Sequence, residues 1–144
     1  RLLLDVIGIE RRFVHEEACR WEHVMSDAAA ERMAVHLGNP ETSPYGTPIP
    51  AANARKVHRL ADHGQELRAA AAAGLDEVVF VMVDEHPQTD PRFMAELDAS
   101  LIRPGSVVTL TARGEDLVLT GEDGRHSVRV PAEYTGSLRV RARH

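Results

Sequence analysis

The sequence holds 144 residues with a formal net charge of −5, 43% hydrophobic residues and 4% aromatics. That length suits one medium domain or two small ones with aliphatic cores, and the hydrophobic share fits a globular chain rather than a disordered one. The negative balance argues against these residues gripping DNA by themselves, and the longest apolar run, residues 75–83, is broken by acids and too short to cross a bilayer.

Residues 1–7 read as an apolar helix stopped by Gly8, a natural terminator. No N-cap residue precedes that helix and the first residue is Arg1, so a fragment with its upstream part removed, or a processed precursor, is expected. Residues 11–24 form the next helix. Ser26 then caps a third over residues 27–37, which stops at Gly38, Asn39 and Pro40. Four prolines (Pro40, Pro44, Pro48, Pro50) and Gly46 make residues 39–54 an extended connector. Residues 55–73 are helix-prone and end at Gly74.

Beyond Gly74 the pattern changes to strands. Residues 77–84 are rich in Val and Phe, and residues 91–100 interrupt with a short helix that puts Phe93, Met94 and Leu97 on one face. Strands follow over residues 106–112, 116–120, 126–130 and 137–141, with a turn at Glu122, Asp123 and Gly124. Five short strands in so few residues point to a small barrel, which removes exposed sheet edges. The expected class is therefore α+β, a helical domain (1–54), a linker or helix (55–74) and a small β-barrel (75–144).

The lone Cys19 cannot form an internal disulfide, which fits a reducing cytoplasm. It lies four residues from His15, three from Glu22 and four from His23, so a helix puts all four on one face, with Val14, Trp21 and Met25 opposite. A thiolate, imidazole and carboxylate together suit Fe²⁺, Co²⁺, Ni²⁺ or Zn²⁺ better than Mg²⁺ or Ca²⁺. Three close donors do not complete a shell, so others must come from elsewhere. The plainer reading is that Cys19 simply packs and that Glu16 and Glu22 are solvated helix charges. The doubled Cys-x-x-Cys spacing of strong zinc sites is missing.

The run from Glu17 to Asp27, Glu-Ala-Cys-Arg-Trp-Glu-His-Val-Met-Ser-Asp, resembles the signature of the diphtheria toxin repressor family of iron-dependent regulators. Residues 43–50, Ser-Pro-Tyr-Gly-Thr-Pro-Ile-Pro, resemble that family's Ser-Pro-Phe-Gly-Asn-Pro-Ile-Pro connector, and residues 1–8 resemble the end of the helix before the signature. The likeness is most specific over residues 1–50. It implies a helical metal-binding and dimerisation domain followed by an SH3-like domain. It also implies an Fe²⁺-dependent repressor for which Co²⁺, Ni²⁺, Mn²⁺ or Zn²⁺ substitute in vitro. The carry-over places Cys19, Glu22 and His23 in a primary metal site, with a methionine that lies outside these residues. His15, Glu85 and Gln88 fall in an ancillary site, again short of two upstream ligands. Cys19 would favour iron over manganese, whose relatives carry a carboxylate at that position.

Isolated helices bury too little apolar surface, so a homodimer through Leu2, Leu3, Val6, Ile7 and neighbouring faces is expected; the alternative is that these leucines pack against an absent domain. The resemblance makes operator DNA a partner of the full-length protein, though not through this fragment, and the protein cytoplasmic with no membrane contact. It also suggests that the SH3-like domain contacts the proline-containing connector, although few aromatics are present to build a groove. His36, His58, His63, His86, His126 and His144 read as surface residues, with His86 beside Glu85. A metal-dependent hydrolase is the rival, with Glu16 or Glu17 as base, but no His-Glu-x-x-His segment is present. A dimerisation module whose Cys19 only packs is the other.

Overall fold

The computed structural model describes residues 1–50 and 63–143. His58, His144 and the first part of the helix-prone stretch lie outside the described residues. The chain opens with a π-helical turn, Leu2–Val6, in which the Ile7 N–H reaches back five residues to the Leu2 carbonyl at 3.0 Å. The helix expected there is thus wider than α. It turns Leu3 into the core, and Gly8 at φ +82° reverses the chain after it.

Helix α1 spans Arg11–Glu22, ending two residues short of the expected limit. Val24 and Met25 both donate to the Trp21 carbonyl at 3.0 Å and close the helix there. Trp21 lies half-buried against the core, its indole N–H donating to Glu17 at 2.7 Å. Helix α2 spans Asp27–His36, and its Ser26 cap accepts the Ala29 N–H at 3.3 Å. None of its residues is buried. The connector folds on itself: Thr42 bridges Pro48, and the Ser43 N–H donates to the Thr47 carbonyl at 2.7 Å.

The second part runs β1 (Gln65–Glu66), α3 (Leu67–Ala72), β2 (Glu77–Val83), α4 (Glu85–Gln88), α5 (Pro91–Ala99), β3 (Val107–Arg113), β4 (Asp116–Gly121), β5 (Ser127–Val130) and β6 (Leu138–Ala142). The strands form one antiparallel sheet in the order β1-β6-β2-β3-β4-β5. The α+β class holds, but the closed barrel does not: among the described residues nothing joins β5 to β1. The reason is the return path. After β5 a 3₁₀ turn, Ala132–Tyr134, leads into β6 on the far side of β2, so β5 is left as an edge. That edge is only four residues long, and Ser127 and Arg129 face outward from it, which is how exposed edges are kept from pairing further.

Alternation builds the core. Val78, Phe80 and Met82 of β2 are at most 1% exposed, and Val108, Leu110, Leu117, Leu119, Val128, Val130, Leu138 and Val140 join from the other strands. Each such side chain contributes about 1.5–3 kcal/mol when fully buried. Phe93, Met94 and Leu97 of α5 cover one face, and Leu67 and Ala70 of α3 add to it. Residues 65–72 therefore pack with the sheet, β1 on β6 and α3 beside it. Leu3, Val14 and Tyr45 belong to the same apolar cluster, and α1 lies against α5. This contact brings the functional face of α1 to the segment that follows β2. No described helix is long and apolar enough to cross a membrane.

Candidate metal centre

The site begins with two elements that meet across 73 residues of sequence. His15 lies in α1 and is half-buried, and Gln88 ends α4 at 6% exposure. His15 Nδ1 stands 3.2 Å from Gln88 Oε1. Gln88 Nε2 donates to the Val83 carbonyl at 2.8 Å, and this fixes the amide with its oxygen toward the imidazole. An amide oxygen there calls for a donor, so Nδ1 is the nitrogen placed to carry a proton toward it. Cys19 Sγ lies 3.6 Å from the other ring nitrogen, Nε2. Nitrogen, sulfur and amide oxygen thus form a continuous string of donors from α1 to α4.

The remaining expected ligands stand apart from this string. Glu22 is the last residue of α1 and His23 caps its C-terminus; their side chains are 66% and 79% exposed, with Glu22 Oε1 3.8 Å from His23 Nε2. The Cys19 thiol leans toward His15, one turn back, as helical side chains do. Cys19, Glu22 and His23 consequently do not converge: among the described residues no three His, Cys, Asp or Glu side chains are grouped to hold a metal ion. Glu85 opens α4 and is exposed. Its charge, with that of Glu66, adds to the burial that pushes the Asp84 carboxyl up, while Arg139 opposes both. By donor chemistry the residues fit a borderline-soft divalent cation.

Of the residues expected at a dimer interface, Leu3 is 6% exposed in the chain's own core, and Leu2 is half-buried. Val6 and Ile7 are 58% and 49% exposed. Among the other histidines, His36 and His86 are exposed, while His63 and His126 are half-buried. His86 sets its edge on Tyr134 at 5.3 Å and His126 pairs with Asp123.

Sequence reasoning missed the groups that hold the site in place. The Tyr45 hydroxyl donates to the Arg11 carbonyl at 2.7 Å, and burial pushes its phenol up to about 12, so it remains a donor. The Arg11 guanidinium donates to the Pro44 carbonyl and faces Asp98 of α5 at 3.2 Å; Arg103 reaches the same carboxylate at 3.0 Å. These last two are charge contacts rather than well-aligned hydrogen bonds. The available signal was the spacing of Arg11, one turn before His15.

A family description, "Iron dependent repressor, metal binding and dimerisation domain", matches residues 1–51. Over those residues the chain is similar to that domain. The diphtheria toxin repressor of Corynebacterium jeikeium is 33% identical over 97% of this chain and 64% of its own length. The iron-dependent repressor IdeR of Mycobacterium leprae is 36% identical over 97% of the chain and 63% of its length. The Corynebacterium diphtheriae repressor is 37% identical over 90% and 62%. The chain thus spans just under two-thirds of the curated relatives it matches. A manganese-dependent transcriptional repressor in complex with manganese superposes with a TM-score of 0.77 at 23% identity, covering 99% of this chain and 64% of that one. The manganese regulator SloR gives 0.75 at 18%, over 99% and 62%. At these identities the structures show a shared fold over nearly the whole of this chain, the sheet as well as the helices. The curated relatives are named as repressors, not enzymes.

Proposed function

We propose that the chain is the metal-sensing and dimerising part of an iron(II)-dependent transcriptional repressor, carrying an SH3-like sheet unit behind it. One observation carries the reading: His15 of α1 and Gln88 of α4 stand 3.2 Å apart, with the Cys19 thiol on the other imidazole nitrogen. A ligand set divided between two parts of the chain makes their arrangement the quantity that metal controls.

Cys19, Glu22 and His23 would hold the primary ion, and His15, Glu85 and Gln88 the ancillary one. When bound, the ion supplies coordination that favours the arrangement in which α1 and α4 meet, and the population shifts by its differential affinity for that state. In the metal-free chain, the Gln88 amide oxygen holds His15 through Nδ1 and so sets the orientation of the imidazole. Fe²⁺ is the physiological ion in this reading. The iron-dependent names of the Mycobacterium leprae relative and of the matched domain support it.

In this reading the helical unit includes residues 1–50, and the SH3-like unit takes in β1 and α3 as well as the residues expected from 75 onward, because those two elements pack with the sheet. Exposed Val6 and Ile7 support a homodimer. Operator DNA is then engaged through residues other than these, as the net charge of −5 favours, in the cytoplasm.

Calorimetric titration with Co²⁺ and Ni²⁺, and with Fe²⁺ under anaerobic conditions, tests the proposal. The wild type should bind, and a Cys19→Ala, His23→Ala double variant should lose the larger part of the heat. Equal heats for the two proteins would refute it. A second reading, a dimerisation module whose Cys19 only packs, is favoured by the separation of Cys19 from Glu22 and His23. In that case added metal leaves the melting temperature unchanged, whereas binding to the native state must raise it.

A further inference from the structure

A closed ring of hydrogen bonds runs through three separate segments around the His15–Gln88 contact, and the connector supplies one member. Tyr45 is 5% exposed. Its hydroxyl donates to the Arg11 carbonyl at 2.7 Å, and its own carbonyl accepts the Val83 N–H at 3.0 Å. The Val83 carbonyl in turn accepts Gln88 Nε2 at 2.8 Å, and Gln88 Oε1 meets His15 Nδ1 at 3.2 Å. His15 follows Arg11 by one turn of α1, so the helix backbone closes the ring.

Val83 occupies the pivotal place: its N–H faces the connector and its C=O faces the metal-site amide. Whatever moves Tyr45 therefore pulls on the residue that orients Gln88. Gly46 makes the close approach possible. A Cβ there would overlap the Val81 carbonyl oxygen, and φ is +87°. The connector motif that this chain resembles carries phenylalanine where Tyr45 stands; that ring would fill similar space and donate nothing.

From this ring we infer that Tyr45 is a positioning residue for the metal site: through Val83, the connector sets whether the His15 imidazole and the Gln88 amide stand together. The inference rests on the metal-sensing reading of those two residues. It deepens that reading by making the connector, and not the sheet alone, responsible for the pairing.

Tyr45→Phe in the whole chain removes only the hydroxyl. Without metal, amide exchange at Val83 should accelerate about fivefold, the factor that one neutral hydrogen bond is worth. Exchange at Phe80, whose N–H donates to Ser106 at 2.8 Å on the same strand, should not change. Nitrogen-15 spectra of His15 should show its preference for a protonated Nδ1 weakened. With Co²⁺ present, the affinity of the site that includes His15 should fall by up to the same factor. Gly46→Ala, which forces the connector away from β2, should produce the same changes more strongly.

Equal acceleration at Phe80 and Val83 would mean that Tyr45 contributes only overall stability, and that outcome overturns the inference. So does an unchanged Val83 rate with an unchanged His15 tautomer. If the wild type takes up no Co²⁺ at all, the metal reading fails, while the two metal-free measurements still decide whether Tyr45 sets the His15–Gln88 pair.

Discussion

Gln88→Leu isolates the contact on which the functional reading turns. The side chain is 6% exposed, so leucine occupies nearly the same enclosed volume without opening a cavity. Two hydrogen bonds disappear, one to the Val83 carbonyl at 2.8 Å and one with His15 at 3.2 Å. A neutral bond is worth about 1 kcal/mol net, and a carbonyl left unpaired in the interior carries its own desolvation cost, partly offset by the added apolar burial. The balance is a destabilisation of about 2 kcal/mol, or about 4–8 °C in melting temperature for a chain of this size. Thermal and urea melts followed by far-ultraviolet circular dichroism read this directly. Affinity for Co²⁺ should fall about 10–100-fold, as it does when partners of metal-bound histidines are removed. A variant within about 0.5 kcal/mol of wild type, a change typical of unimportant surface positions, would show that the amide orients nothing and that its nearness to His15 is incidental.

The turn between β4 and β5 should give a pH signature. Asp123 accepts the Arg125 and His126 N–H groups at 2.9 and 3.2 Å and pairs with the His126 ring, which lowers its carboxyl to about 2. Its folded value lies below the ordinary one of 3.8, so its contribution is complete above pH 3.8 and fades as pH falls toward 2. The acid dependence of the melting temperature over that window should flatten in Asp123→Asn, and two parallel profiles would count against the assignment. Leu101 holds φ +58° with its side chain 62% exposed. Leu101→Gly should relieve that conformation and stabilise the fold by about 0.5–1 kcal/mol, measurable as a higher urea midpoint; a lower midpoint contradicts the strain argument.

Local chemistry made much of the architecture legible. Ser26 capped α2, Gly74 ended α3 at φ +73°, and the apolar trio of α5 faced inward, because caps, terminators and periodicity act within a few residues. The two-residue β1 was invisible because Gln65 and Glu66 carry no strand pattern and pair with β6 only through tertiary placement. Sheet closure was misjudged for a related reason. Strand count can be read along a chain, but the position of β6 between β1 and β2 depends on the path taken after β5. At the site, helical spacing put His15 and Cys19 in reach of each other. It did not register that α1 stops at Glu22 and leaves His23 outside the ladder. Arg11, Tyr45 and Asp98 were passed over because an arginine, a tyrosine and an aspartate have many ordinary uses, and only packing brings them together.

Trp21 is the sole tryptophan of the chain, half-buried on the last turn of α1 with its indole N–H held by Glu17 at 2.7 Å. Its emission therefore reports on that helix alone, with no competing indole to subtract. Any titrant that loosens α1 from the core should shift the fluorescence to longer wavelength and make it accessible to acrylamide, giving an optical record of helix docking without an added label.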